Sequence, residues 1–541
     1  MKKIIKNILL ILTIILIQGC YKDKGSYDYK EINEVEIELP EVMEVRFPKR
    51  DSLLVEIVPK LSQTQVEDNS NLSFSWSIIS IGSIKEISKN QICSLYVKPS
   101  DKDMSLRLTV TDNTLGTEWY KEMKLKEIPP YNSTWFVLQD VNGKSVLGAV
   151  DGVDKGKGVA ILDIYKDETG GSLDKLGKPV ELATNISYGT SLGAFAMLFG
   201  RSNPERVVMV AGENNIEILN LKNLGSIWSG GIDNLFRCVN PIPKKVSKIL
   251  FHDDNSGEAI INDNKLYWAN FDGYSLYRTV KDVDDKPFTS SKMNIGYLKE
   301  KGFIIYDGLK NKFSFCRPTA AAMNFEQSIN TPVILSQKAA EDSPNLKLEP
   351  IGSNDQQNKF NPDNITGVDR MIDILRVDDY TYACALGEGN KILIYRFNCA
   401  GWDGNETARC DGFYEIDMPS EITNTSEISF AGSIVNTKTV FMAVENQVFK
   451  IDLGKAVPKI LSIYKNDTPN LKITKMKFRY GEMYYDKKFY EVLCVAVDYG
   501  DNTGGFIELN LNSAGDVIRG EGSTYEYKGF GKIVDIIYSF K

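Results

Sequence analysis

The sequence predicts an all-β chain, with an N-terminal Ig-like β-sandwich followed by a β-propeller of about seven blades. Three observations predict it. Between Val35 and Ile128, short runs alternate apolar and polar residues, as half-buried strands do. Pro129-Pro130 then interrupts the pattern, because a double proline cannot continue a ladder. Beyond it, apolar strand pairs joined by polar turns recur to the C-terminus with almost no helical period.

The chain begins with a basic head, Lys2, Lys3 and Lys6, then an aliphatic run from Ile8 to Ile17 broken only by Thr13. That order is that of a secretory signal peptide. The run is short for a membrane span, which needs roughly 20 apolar residues. Gly19 directly before Cys20 resembles the lipobox of bacterial lipoproteins. The resemblance implies a signal peptide over residues 1–19, cleavage before Cys20 and acylation of its thiol. Two or more acyl chains anchor a protein stably. Residues 20–33 are polar and turn-rich, and read as the lipidated cysteine and its tether.

Residues 34–129 carry the sandwich. Val35–Leu39, Leu53–Val58, Leu72–Ile78, Ser105–Asn113 and Glu118–Leu125 read as its strands, and alternation puts Trp76 on the inward face. Residues 130–541 carry the propeller. Trp135–Leu138 is paired with Val159–Tyr165 as its first unit. The next six are 206–212 with 216–221, 258–261 with 265–269, 302–307 with 312–315, 381–386 with 391–397, 439–444 with 447–453, and 491–497 with 505–511. The last strand, Lys532–Phe540, has no hairpin partner of its own. Propellers remove such an edge by pairing it with the first blade, which makes Trp135–Leu138 its partner.

The lipobox, the tether Cys20-Tyr21-Lys22-Asp23-Lys24-Gly25-Ser26-Tyr27-Asp28-Tyr29-Lys30 and the strands after it resemble the PKD-like lipoproteins of Bacteroidota. Trp76 in its strand and the Leu-x-Leu-x-Val-x-Asp run ending at Asp112 add to the likeness. The resemblance implies an accessory protein of a SusC/SusD-type uptake system, lipid-anchored at the outer membrane. The cell surface is the expected face, rather than the periplasmic one. It implies no catalytic motif and no cofactor.

Composition narrows the chemistry. The chain has 541 residues, net charge −8 and a single histidine, His252. Without a basic stripe, nucleic acid is not an expected partner. One histidine excludes HExxH zinc sites and two-histidine iron sites, and no metal site is expected. Of eight cysteines, seven remain once Cys20 is acylated. Cys399 and Cys410 bracket a short polar loop, where a local disulfide suits an exported protein and two separate thiols are the alternative. Cys93, Cys238, Cys316, Cys384 and Cys494 lie in apolar runs and read as core thiols.

Aromatic side chains are the leading binding candidates, because sugar rings stack on exposed aromatic faces. Trp402, inside the Cys399–Cys410 loop, comes first, then Trp228 and Tyr274. Trp268 alternates within a strand and reads as core. Asp253, Asp254, Glu258, Asp282, Asp284, Asp285, Asp498 and Asp501 could serve a glycan-cleaving enzyme as paired carboxylates. Their setting in polar turns instead favours backbone-shaping roles. The sequence therefore reads as a non-catalytic protein that binds a glycan or glycopeptide. A propeller glycosidase and a purely structural subunit of the uptake complex are the alternatives.

Overall fold

The structure is a computed structural model. It describes residues 32–45, 52–98, 104–127, 131, 133–153, 158–188, 205–226, 232, 243–251, 257–270, 278–282, 284, 288–298, 302–316, 348–349, 351, 360–377, 380–398, 409–419, 422, 426–433, 435–479, 492–520 and 522–539. Two compact units divide the chain, residues 1–128 and residues 129–541.

In the first unit the main sheet has five strands. Their order is Val42–Val45, Thr117–Glu127, Met104–Asp112, Leu72–Ser80 and Ser83–Ser88. Val42–Val45 joins it in parallel, and the other pairs are antiparallel. Two ribbons, Val35–Glu38 with Lys60–Gln63 and Leu53–Ile57 with Cys93–Val97, share one core with it. Trp76 is fully buried there, as its alternation predicts, and its Nε1 donates to the Gln91 carbonyl at 3.2 Å. Asn33 Nδ2 donates to Asp112 Oδ2 at 2.9 Å and to Gln63 Oε1 at 2.8 Å, fixing the start of the unit.

The second unit is built from seven successive antiparallel sheets among the described residues. Their leading strands are Lys532–Ser539 for the first sheet, then Pro179–Tyr188, Val246–Phe251, Met293–Leu298, Val368–Val377, Ile428–Gly432 and Lys472–Phe478. Each leading strand neighbours the next, and the seventh neighbours the first, so the sheets close into a propeller-like ring. These seven are its inner strands. Behind each stands a hairpin of nearly unbroken apolar residues, such as Glu205–Gly212 with Ile216–Asn220 and Val492–Asp498 with Gly504–Asn510. Six of the seven strand pairs read from the sequence are these hairpins.

The exception is the first. Thr134–Val141 pairs with Lys144–Asp151 through the turn at Asn142-Gly143, and Val159–Ile161 lies outside that hairpin. Ile164 and Tyr165, read as the end of the strand Val159–Tyr165, instead open a short helix, Ile164–Thr169. Asp163 caps it by accepting the Lys166 N–H, and Gly170 ends it in the left-handed region.

Closure follows the predicted partner. Lys532–Ser539 pairs with Thr134–Val141, with Trp135 opposite Tyr538 and Val137 opposite Ile536. A second fastening joins the first and seventh sheets. Trp135 Nε1 donates to Glu508 Oε1 at 2.8 Å, and the Tyr527 hydroxyl donates to Glu508 Oε2 at 3.2 Å. Burial pushes the Glu508 carboxyl above its ordinary range, against the pull of Arg479 and these two donors.

Candidate functional site: the charged ring of the inner strands

An inner strand has one hydrogen-bonding edge on its own sheet and the other toward the axis. In five of the seven, a β-bulge breaks the ladder one residue before a charged side chain. The register skips Val180 before Glu181, Ser247 before Lys248, Ile372 before Asp373, Thr474 before Lys475 and Val534 next to Asp535. A bulge frees backbone groups and turns the strand, so a neighbour must satisfy them. Here the neighbour is the adjacent sheet. Asp535 Oδ2 accepts the Leu182 N–H at 2.8 Å, Glu181 Oε2 accepts that of Ile249 at 3.0 Å, and Ser429 Oγ accepts that of Met476 at 3.0 Å. Asn294 Nδ2 donates to the Ile372 carbonyl at 3.2 Å.

The charged members form a chain of ion pairs across the axis. Lys248 Nζ lies 2.7 Å from Glu181 Oε1 and 3.8 Å from Asp373 Oδ1. The second contact passes over the strand Met293–Leu298 that stands between them in the ring. Asp373 Oδ2 lies 3.9 Å from Lys475 Nζ, and Lys477 Nζ lies 2.8 Å from Asp535 Oδ2. Three carboxylates and three ammonium groups balance. Burial opposes the charge on Lys248, but Glu181 and Asp373 outweigh it and hold its pKa above the ordinary lysine range. Burial likewise opposes charge on Asp535, but Lys477 and Lys475 hold its pKa below the usual carboxylate value. At neutral pH these two groups are fixed charges, and the ring offers oriented donors and acceptors with no net charge.

This ring escaped the sequence reading. Its signal is a polar residue followed by a large apolar one, repeated once per sheet. The copies are Glu181-Leu182, Lys248-Ile249, Asn294-Ile295, Asp373-Ile374, Ser429-Phe430, Lys475-Met476 and Asp535-Ile536. The apolar member is buried in all seven. Gly296 marks how tightly neighbouring strands approach, since a Cβ there would lie 2.4 Å from the Ile374 carbonyl oxygen.

The residues singled out from sequence fall elsewhere. Cys20, Trp228, Tyr274, Cys399, Trp402 and His252 lie outside the described residues, as do Asp253, Asp254 and Asp285. Cys410 is described and corrects one expectation, because it is a buried free thiol rather than half of a bridge with Cys399. Cys410 sits opposite Phe397 with its side chain in an aromatic core. Burial pushes the Cys410 thiol up to about 12. Cys93, Cys316, Cys384 and Cys494 are buried, as their apolar runs predict, and Trp268 is core.

Of the candidate carboxylates, Asp282 is held by Lys310 at 2.7 Å and Lys312 at 3.5 Å. Asp498 and Asp501 shape the 499–503 turn by accepting the Gly500 and Thr503 N–H groups. No group of three or more His, Cys, Asp or Glu placed to hold a metal occurs among the described residues. Nor does any helix among them reach the length and apolarity needed to cross a membrane.

Comparison with known proteins bears on family and fold. Residues 20–179 match the PKD-like family. The match takes in the sandwich and the opening strands of the ring, Thr134–Val141 to Val159–Ile161. No curated protein sequence matches the chain. Among solved structures, the chain is similar to a quinoprotein alcohol dehydrogenase-like protein from Bacteroides thetaiotaomicron. That likeness has 12% identity and a TM-score of 0.44, over 92% of this chain and 96% of the other. It is also similar to a periplasmic gluconolactonase from Pseudomonas aeruginosa, with 11% identity, TM-score 0.44, and 75% and 98% of the two chains. A third is the WD40 domain of SCAP from fission yeast, with 9% identity, TM-score 0.35, and 65% and 74% covered. Proteins named for enzymes are thus among the similar structures, which withdraws the expectation that this chain is not an enzyme. At such identity the likeness concerns the fold and assigns no activity.

Proposed function

We propose that this protein is a lipoprotein of a SusC/SusD-type uptake system, anchored through Cys20 at the outer membrane, whose ring of sheets handles a glycan or glycopeptide ligand. We count each of the seven sheets as one blade. The observation that carries the reading is a coincidence at one residue. The PKD-like match begins at Cys20, the residue where the signal sequence ends and the lipobox-like Gly19-Cys20 step stands. A chain cleaved before Cys20 would present that cysteine as its N-terminus, with a tether of about a dozen residues before the first strand at Val35.

Metabolic labelling with an alkyne palmitate tests the anchor. The wild-type chain is expected to take the label and enter the detergent phase, and Cys20→Ser to do neither. Protease treatment of intact cells separates surface from periplasmic display, with digestion expected. A binding screen with glycans and glycopeptides, using Trp402→Ala as the loop control, tests ligand handling. Chromatography of each bound ligand afterwards reports whether capture is followed by turnover. Labelled anchor without any glycan or glycopeptide binding would leave a protein-interaction subunit as the role.

A further inference from the structure

The charged ring has a second, exposed tier. Two ladder steps before each ring residue, on the same side by strand alternation, lies a residue at or near the start of the inner strand. In sheet order these are Lys532, Lys178, Lys245, Lys292, Arg370, Glu427 and Lys472. Lys532 stands opposite Asp140, Arg370 opposite Leu386 and Lys472 opposite Asp498. The carbonyls of Lys178, Lys245 and Lys292 accept the N–H groups of Glu213, Asp263 and Gly308, which puts them at the same step. Asp535 bonds Leu182 and Glu181 bonds Ile249 at matching positions, so neighbouring inner strands run level and their starts share one end of the ring.

Lys and Arg make up 64 of 541 residues in a chain of net charge −8, yet they fill six of these seven positions. All six are exposed. Lys245 Nζ lies 3.2 Å from Asp263 Oδ1, Lys472 Nζ lies 3.7 Å from Glu445 Oε2, and Arg370 donates to the Ser426 carbonyl at 2.7 Å. Lys178, Lys292 and Lys532 have no carboxylate within 4 Å among the described residues. The acids opposite two of the bases brace their own turns, since Asp140 accepts the Gly143 N–H at 2.7 Å and Asp498 that of Gly500 at 2.8 Å. Those acids belong to the second strands, one strand further from the axis. Bases therefore crowd the axis at this end, and acids stand outside them.

We propose that this basic collar is a docking surface for an acidic sugar chain, one carrying carboxylate or sulfate groups. Charge complementarity selects the ligand. Like charges gathered on one face concentrate an oppositely charged partner there. The bases run unbroken over six consecutive sheets, from the seventh through the first to the fifth, and Glu427 on the sixth closes the arc. Each base stands on its own strand, so a small ion meets few of them. A chain with an acid on successive sugars meets several at once, and the contacts reinforce one another. Lysines act as mobile point charges, which suits acids spaced along a flexible chain. This inference rests on the ligand-handling reading above, narrows the ligand to acidic glycans, and places contact at the starts of the inner strands instead of the loop aromatics.

The test is biolayer interferometry with the full-length chain in a non-ionic detergent. The probes are polygalacturonate and chondroitin sulfate, with dextran as the neutral glycan and polyglutamate as an acidic polymer that is not a sugar. One collar variant combines Lys178→Glu, Lys292→Glu and Lys532→Glu, and a milder one carries Gln at the same three positions. Lys85→Glu, Lys121→Glu and Lys124→Glu, exposed in the sandwich, change the net charge as much as the first variant and serve as its control. Thermal unfolding by circular dichroism verifies that each variant is folded. At least one acidic glycan is expected to bind wild type and the sandwich variant alike, and the Glu collar variant about tenfold more weakly, with all binding weakened by added salt. The Gln variant is expected to fall between. Absence of binding by both acidic glycans overturns the proposal, and so does equal binding by wild type and a folded collar variant. Equal binding of polyglutamate overturns the sugar assignment. Dextran binding without either acidic glycan, or loss in Trp402→Ala with both collar variants intact, also overturns it, yet leaves glycan handling elsewhere on the protein standing.

Discussion

The inner strands and the hairpins behind them belong to the same seven sheets but follow opposite rules. Hairpin strands such as Val492–Asp498 and Gly504–Asn510 bury nearly every residue, and their ladders run without a bulge. Five of the seven inner strands are bulged and carry a charge at the bulge, and polar side chains among them pass hydrogen bonds to the next sheet. Apolar ladders therefore build each sheet, whereas polar side chains join one sheet to another. Burial in the hairpins is non-directional and tolerant of detail, while the inner-strand bonds depend on particular atoms.

Four measurements break or sharpen that contrast. Deleting residues 532–541 removes the inner strand of the first sheet and exposes the edge of Thr134–Val141. Loss of the folded monomer is expected, seen as aggregation in size-exclusion chromatography and rapid proteolysis. Phe313→Ala empties a hairpin site that is fully buried against Tyr306, Phe360, Tyr395 and Phe397. It should cost about 3–5 kcal/mol in urea unfolding.

Lys477→Met should cost less, roughly 1–3 kcal/mol, by stripping the ammonium from buried Asp535. Its signature is pH dependence. A carboxyl held below its unfolded value contributes stability above that value, about 3.9, and loses it as pH falls through the lower folded value. Removing Lys477 raises the folded value, so the acid-induced loss below about pH 4 should shrink in the variant. Lys60→Ala, which breaks the exposed pair with Glu38 in the sandwich, should leave the urea midpoint unchanged. A large effect there would erase the distinction between the inner-strand charges and ordinary surface pairs.

The same contrast decides what could be read from the sequence. Hairpins such as Thr439–Val444 with Gln447–Asp452 were legible because unbroken apolar runs around a short polar turn leave little else for them to be. The closing strand was legible because an apolar run without a partner needs one. Inner strands such as Pro179–Tyr188 and Lys472–Phe478 were not, because a bulge breaks the two-residue period and charges stand where apolar residues were sought. The start of the helix Ile164–Thr169 was lost to the opposite error, since Ile164 and Tyr165 continue an apolar run that fits a strand and only Asp163 and Gly170 mark the caps. Cys410 shows a further limit. Closeness in sequence suggested a bridge to Cys399, whereas the Cys410 thiol lies in an aromatic core.

The closure of the ring also sets a clock. Gln139 accepts a hydrogen bond from Gly531, 392 residues later in the chain. Synthesis at about 5–20 residues per second separates the two by roughly 20 to 80 s. Until the tail arrives, Thr134–Val141 has its hairpin partner on one side and nothing of its own on the other. The ring therefore closes only after Gly531 and the strand that follows it have been made, and whatever keeps Thr134–Val141 from finding a wrong partner must act before then.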